Sequence, residues 1–344
     1  QRVQMVMNGK WIAEHPERRL RGYHLSGLNR IMGRKKQFTS YLHEFVVQFL
    51  DAKHGGRENL KVWTNVFLAE SWEERGERIS LTTAMEQAED YKTDPLPASV
   101  GVLTCAVDVQ KDRLEYEVMG WGISEESWGI ERGAIHGDPE KLECWKDLDD
   151  LLHRKWNHPS GSRLGIAATC VDSGYATTSV YSFTKPRQNR RIFAVEGSNQ
   201  NGAPLISKRF LKQGRTTLFI VGGDVAKDSI FARLRMKEHG PRFMHFPIGY
   251  GYNEEHFRQL TGEEVRTRMK NGFQIRYYKK LRERNESLDL RVYNLAALEI
   301  LQPNMERIME GLKVESEESS EEEVVTVKTH PKKINGGGFA NSWR

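Results

Sequence analysis

Two aspartates sit where ionised carboxylates are costly. Asp108 closes the apolar run VLTCAVDV (102–109), and Asp172 closes LGIAATCVD (164–172) just before Ser173 and Gly174. A charge in such surroundings is unfavourable unless something pairs with it. A third acid, Asp289, falls in the first turn of an apolar helical stretch, LDLRVYNLAALEIL (288–301), with Glu286 three residues earlier and so near the same helix face. Brought together, these carboxylates would repel one another and raise each other's pKa unless divalent cations lay between them. Hard oxygen donors without cysteine or a histidine pair favour Mg²⁺ or Mn²⁺ over zinc. Two such ions ~3.5–4 Å apart activate water and stabilise the leaving oxygen of a phosphodiester.

Asp108 is hard to read otherwise, but the other acids also have an ordinary reading. Asp172 before Ser-Gly fits a strand-end Asx turn, and Asp289 fits a first-turn acid favoured by the helix dipole. Glu286 fits helix-start stabilisation as well as it fits metal ligation. Asp112, in QKDR, reads as a turn residue, and His256 reads as a surface or capping histidine rather than a catalytic helper. The three cysteines, Cys105, Cys144 and Cys170, are too scattered for a disulfide framework or a zinc site and read as packed residues.

The elements that must position the acids follow from the pattern around them. VLTCAVDV, RLEYEVMGWG (113–122) and SWGIERGAI (127–135) read as three strands in an antiparallel meander. A helix through Trp145, Leu148, Leu151, Leu152 and Trp156 leads to the buried strand ending at Asp172, and a right-handed crossover makes that strand parallel to an earlier one. Another helix and the strand RRIFAVEG follow, giving a β-β-β-α-β-α-β order of ribonuclease-H-like type. Further strands are expected at TTLFIVG (216–222) and RFMHFP (242–247), around a helix through Ile230, Phe231, Leu234 and Met236. The fold class is therefore α/β, a mixed sheet flanked by helices and preceded by a mainly helical segment. In that segment Phe38, Tyr41, Leu42, Phe45, Val46, Phe49 and Leu50 are spaced to make one apolar helix face. The expected divisions are 1–95, 96–312 and a flexible tail 313–344 that is first acidic and then basic.

With 38% hydrophobic and 29% charged residues, the 344-residue chain has the composition of a soluble globular protein. No stretch approaches the ~20 apolar residues of a membrane span, and the first residues lack a signal-peptide core. Six glutamates crowd into 315–323, so the rest of the chain carries a positive surplus six units larger than the net +5. A polyanionic partner fits that surplus. The basic residues nearest the last acids, Arg276, Lys279, Lys280, Arg282 and Arg284, are the expected DNA-backbone contacts, within a wider set that includes Arg266, Arg268, Lys270 and Arg291. Lys208, Arg209, Lys212 and Arg215 form a second basic group, and Arg30, Arg34, Lys35 and Lys36 a third. No G-x-x-x-x-G-K-[ST] phosphate loop occurs; the nearest string is NGKW (8–11).

The phrases RGYHLSGLNR (21–30), LKVWTNVFLAESWEE (60–74), LTCAVDVQKDRLEYEVMGWG (103–122), CVDSGY (170–175), FRQLTGEEV (257–265) and RNESLDLRVYNLAAL (284–298) span most of the chain. In these the sequence resembles the large terminase subunits of lambda-type tailed bacteriophages. The resemblance implies a motor-nuclease with an N-terminal ATPase domain and a C-terminal ribonuclease-H-like nuclease that cuts concatemeric double-stranded viral DNA during packaging into procapsids. Residues 1–95 then resemble the end of the ATPase domain and its linker, and the chain, which opens without Met, resembles a C-terminal part. By motif match the metal-binding acids are Asp108, Asp172 and Asp289, with Glu286 beside them. Asp108 is expected to bridge two ions, and the other two aspartates each to complete one coordination shell. Glu196, in AVEGSNQ, stands where the family commonly has a basic residue. The partners implied are viral DNA, the small terminase subunit and the portal protein, with several copies on the procapsid, in the host cytoplasm and with no membrane. Two other readings fit the same acids and bases: a ribonuclease-H-like resolvase or integrase, and a non-catalytic DNA- or portal-binding module.

Overall fold

The computed structural model describes residues 38–76, 78–211, 216–270 and 273–313, with positions 10, 16, 17, 19, 26 and 27 before them. The acidic and basic tail from 314, the basic group at 30–36, and Lys212 and Arg215 lie outside the described residues. Two compact units form, one from residues 1–74 with 267–276, the other from 75–266 with 277–344.

In the first unit, helix α1 (Phe38–His54) is followed by α2 (Arg57–Trp63), which runs on as a π-helical turn, Thr64–Leu68. Gly56, at φ 94°, makes the break between the helices, a conformation that costs a residue with a Cβ. Trp63 is the centre of the packing, with ring centroids of Phe45 at 5.0 Å, Phe49 at 5.1 Å and Phe67 at 6.1 Å. The apolar face of α1 is buried only in part: Phe45 is covered, whereas Val46 and Leu50 are exposed.

β1 (Glu73–Arg75) falls at the division of the chain, and the second unit continues with α3 (Leu81–Met85) and the two-residue β2 (Ala88–Glu89). The meander follows as expected: β3 (Val102–Val109), β4 (Arg113–Trp121) and β5 (Ser127–His136), each antiparallel to the last. Helix α4 (Glu143–His153) ends earlier than its apolar spacing suggests. Trp156 belongs instead to a short strand, β6 (Lys155–Asn157), antiparallel to β7 (Arg163–Asp172). Then come α5 (Thr177–Thr184), β8 (Ile192–Gly197), β9 (Ile206–Leu211), β10 (Thr216–Val221), α6 (Gly223–Leu234), β11 (Met244–Pro247), α7 (Glu254–Leu260), the hairpin β12 (Glu263–Lys270) and β13 (Phe273–Lys280), and α8 (Glu286–Leu301). The main sheet runs β2-β11-β5-β4-β3-β7-β8-β10-β9 with β6 beside β7. This is the ribonuclease-H-like mixed sheet flanked by helices.

Strand alternation decides where the acids point. In β3, Leu103, Cys105, Val107 and Val109 enter one core with Leu148 and Trp145 of α4, so Thr104, Ala106 and Asp108 face the opposite side, where α8 lies. In β7 the register against β3 jumps from Ile166 to Ala168. This irregularity puts Ile166 toward the α4 core but Ala168, Cys170 and Asp172 toward α8. All three cysteines are buried and unpaired, as packed residues should be.

Candidate active site

β3 and β7 are parallel neighbours with Val107 opposite Val171, so Asp108 and Asp172 emerge side by side at the carboxyl edge of the sheet. Helix α8 crosses the same face and starts at that edge. Its position is fixed by a buried polar network: Arg291 Nη2 donates to Glu117 Oε1 at 2.8 Å and Asn294 Nδ2 to the Glu117 carbonyl at 3.1 Å. Thr104 Oγ1 donates to Asn294 Oδ1, and Trp121 Nε1 to Thr104 Oγ1, both at 2.8 Å. Asp289 is thereby delivered to the other two aspartates.

The three carboxyls are electrostatically one group. Asp108 is 6% exposed, and its single hydrogen bond comes from Gln110 Nε2, 2.5 Å from Oδ2. Burial, then the charges of Asp172, Asp289 and Glu286, push its pKa up to about 8. Burial raises Asp172 as well, opposed by the Tyr293 hydroxyl at 3.0 Å and by the backbone N–H groups of Gly174 and Ser173. The Asx-turn reading of Asp172 is thus also met. A Cβ on Gly174 would lie 3.1 Å from Asp172 Oδ2, a tight approach that would move the carboxylate by a few tenths of an ångström. Burial pushes Asp289 up to about 6, with Lys227 and Lys280 opposing and Glu263 and Asp172 adding to the rise. Tyr293, in contact with Asp172 and near all three aspartates, has its hydroxyl pKa raised by burial and by those charges. The oxygens of the three aspartates do not all lie within 4.8 Å of one another; among the described residues the set that does is Glu89, His239 and His245.

Neighbouring acids differ in how they are neutralised. Glu115, opposite Asp108 on β4, is held by Arg113 Nε at 2.8 Å, Arg132 Nη2 at 2.9 Å and Arg284 Nη2 at 2.7 Å. Glu286 accepts from Arg113 and Arg284 through Oε1, both at 3.3 Å, while its buried Oε2 has no partner. Glu263 is matched by Lys227 at 2.8 Å and Asn285 at 2.8 Å. Among the described residues the three aspartates have no cationic partner in contact, which is the donor set a hard divalent ion fits. Asp112 is an exposed turn acid beside Arg113.

The expected DNA contacts are already engaged within the protein. Arg284 binds Glu115 and Glu286, Arg282 binds Glu255 at 3.0 Å, and Lys280 donates to Asn285 Oδ1 at 2.7 Å. Arg276, which belongs to the first unit, and Lys279 also make contacts. Arg291 is a correction: it is 2% exposed and paired with Glu117, so it braces the helix and meets no DNA. His256 is another. It is fully buried against Phe246, Tyr252 and Phe257, both ring nitrogens lack partners, and burial drives its pKa well down, so it is a neutral core residue. Sequence reasoning missed Gln110, Lys227, Glu263 and Tyr293. Of these Tyr293 was findable, since it lies four residues after Asp289 on one helix face.

The model of the terminase large subunit gpA endonuclease domain matches residues 20–309. The chain belongs to this family. It is 31% identical over 271 residues to the terminase large subunit of Escherichia phage lambda, covering 76% of this chain and 42% of that protein. It is 30% identical over 313 residues to the terminase large subunit of Enterobacteria phage P21, covering 87% and 47%. The chain thus spans less than half the length of these relatives. No solved structure matches it. Among the described residues no helix is long and apolar enough to cross a membrane.

Proposed function

We propose that this chain is the metal-dependent endonuclease of a viral DNA-packaging motor, cutting concatemeric double-stranded DNA in the host cytoplasm as genomes enter procapsids. Residues 1–95 are assigned as the end of the motor domain and its linker, 96–312 as the nuclease and 313–344 as a tail. The observation that carries this is the convergence of Asp108, Asp172 and Asp289 at one sheet edge, mutually destabilised and without a cationic partner in contact. Asp108, Asp172 and Asp289 would hold two Mg²⁺ or Mn²⁺ ions, with Glu286 through its unpaired Oε2 as a further donor. Such a pair, when bound, supplies an activated water and neutralises the leaving oxygen.

The protein's own groups have definable tasks. Gln110 and Tyr293 orient Asp108 and Asp172, and Lys227 and Lys280 keep the pocket from accumulating unbalanced charge at Asp289. Arg284, half-exposed beside the acids, exchanges a carboxylate for a DNA phosphate, and Lys279, Lys280 and Arg282 extend that contact, while Arg276, in the first unit, meets DNA on its own account. The small terminase subunit and the portal are the protein partners this role requires.

The test is plasmid nicking with Mn²⁺, by the parent chain, Asp108→Ala, and the parent in EDTA. Nicking by the parent alone is expected. Nicking that persists in the variant would remove the metal-site assignment, and no nicking by any sample would favour a binding module. A four-way junction cut far faster than duplex would move the role to a resolvase.

A further inference from the structure

A second set of donors lies at the other end of the sheet. The register runs His245 beside Trp128, Trp128 beside Gly120 and Gly120 beside Leu103. His245 therefore shares a row with Leu103, five residues from Asp108 or about 17 Å along β3, and three strands away across the sheet. Here Glu89 Oε1, on β2, lies 2.8 Å from His245 Nδ1, on β11, and 3.4 Å from His239 Nε2, in the preceding loop. The three donor atoms all lie within 4.8 Å of one another.

The other nitrogen of His245 supplies an independent observation. Nε2 meets Glu126 Oε1 at 3.0 Å, and that same oxygen accepts the backbone N–H of Gly240 at 3.0 Å, in the loop that carries His239. A carboxylate on the remote nitrogen is the arrangement that orients metal-binding histidines. With Nε2 facing Glu126, the other ring nitrogen, Nδ1, faces Glu89 Oε1. At 2.8 Å a proton closes that contact in the absence of metal, and a metal ion would take the proton's place, with His239 Nε2 3.4 Å from the same oxygen. The ring cannot swing away: it is buried, stacked on Trp128 at 4.9 Å with planes 2° apart, and Phe243 closes its edge at 4.7 Å. His239, 64% exposed, leaves one side open to solvent.

We propose that Glu89, His239 and His245 bind one zinc-type divalent ion, with water in the fourth position. Two imidazoles and one carboxylate select Zn²⁺, or Co²⁺ as its spectroscopic substitute, over Mg²⁺. The ion joins the two-residue strand β2, β11 and the 235–243 loop, so it staples the sheet edge and takes no part in cutting DNA.

The experiment uses the full chain carrying Asp108→Asn and Asp289→Asn, so that the carboxylate edge cannot contribute, stripped with chelator and titrated with Co²⁺ in excess Mg²⁺. One equivalent is expected to bind, with the visible absorption of four- or five-coordinate cobalt, and Zn²⁺ should displace it. Glu126→Gln should weaken binding by ~10–100-fold. His239→Ala, at an exposed position and with an unchanged circular dichroism spectrum, should lose at least as much. No visible band on titration, or equal affinity with and without the His239 side chain, would overturn the site and leave His245 as the centre of an ion pair.

Discussion

Replacing Asp108 by Asn should stabilise the protein when no divalent ion is present. Burial and the neighbouring acids hold the Asp108 carboxyl at about 8 in the folded chain, against about 3.9 when unfolded. Because the folded value is the higher one, the associated stability is complete below pH ~4, declines as the unfolded chain releases its proton, and is lost once pH passes ~8. At pH 7 the separation is about 3 pH units, or roughly 4 kcal/mol at 1.36 kcal/mol per unit. An amide does not ionise and can keep the Gln110 contact by turning its oxygen toward it. A gain of about 2–4 kcal/mol is therefore expected for Asp108→Asn in EDTA at pH 7, roughly 5–10 °C in melting temperature for a unit of this size. At pH 4 the two proteins should melt together. Adding Mg²⁺ or Mn²⁺ should raise the parent and leave the variant nearly unmoved, since only a native state with its ligands gains from the ion. Equal melting of the two in EDTA at pH 7, or equal gains from the ion, would refute the electrostatic account of the site.

Other outcomes follow from the same contacts. Tyr293→Phe removes the hydroxyl that orients Asp172 and should lower Mn²⁺ affinity or nicking rate by ~10–100-fold, measured as metal-dependent rates on plasmid. Arg291→Met leaves Glu117 buried without its partner and should cost about 3–5 kcal/mol in urea unfolding, with the Glu117→Gln, Arg291→Met pair recovering part of it. Asp149 is held down at about 2 by Arg187 and Arg190, so its contribution is present above pH ~4 and disappears as pH falls through 2. On its partly solvated surface this should amount to about 1 kcal/mol, read as the parent minus Asp149→Asn difference in a pH series. Arg284→Ala should reduce the slope of log affinity for duplex DNA against log salt by about one.

The sheet and its acids were legible because the signals were local. An aspartate ending a run such as VLTCAVDV announces both a buried strand and an unmet charge, and the crossover rule makes β3 and β7 parallel. The hairpin β12 and β13 was hidden because EEVRTRMK and FQIRYYKK are too polar to read as strands. Likewise ISKRFL of β9 reads as a basic surface segment, yet pairs with β10. Arg291 and His256 were misplaced for a different reason. Their burial depends on Glu117 and Phe246, whose distances in sequence say nothing about contact. The 89–239–245 cluster was unreadable on the same ground, since β2 reaches β11 across some 150 residues of chain.

The bonds that α8 makes at 291 and 294 lie within five residues of Asp289. A slide or roll of that helix would strand polar atoms in a buried interior, so the helix is a fixed rail. Whatever adjustment ligand capture demands must come from side-chain rotation and from the short connections at 110–112 and 173–176. Sequence changes at Thr104 or Trp121 would consequently shift Asp289 relative to Asp108 and Asp172 before they altered the fold.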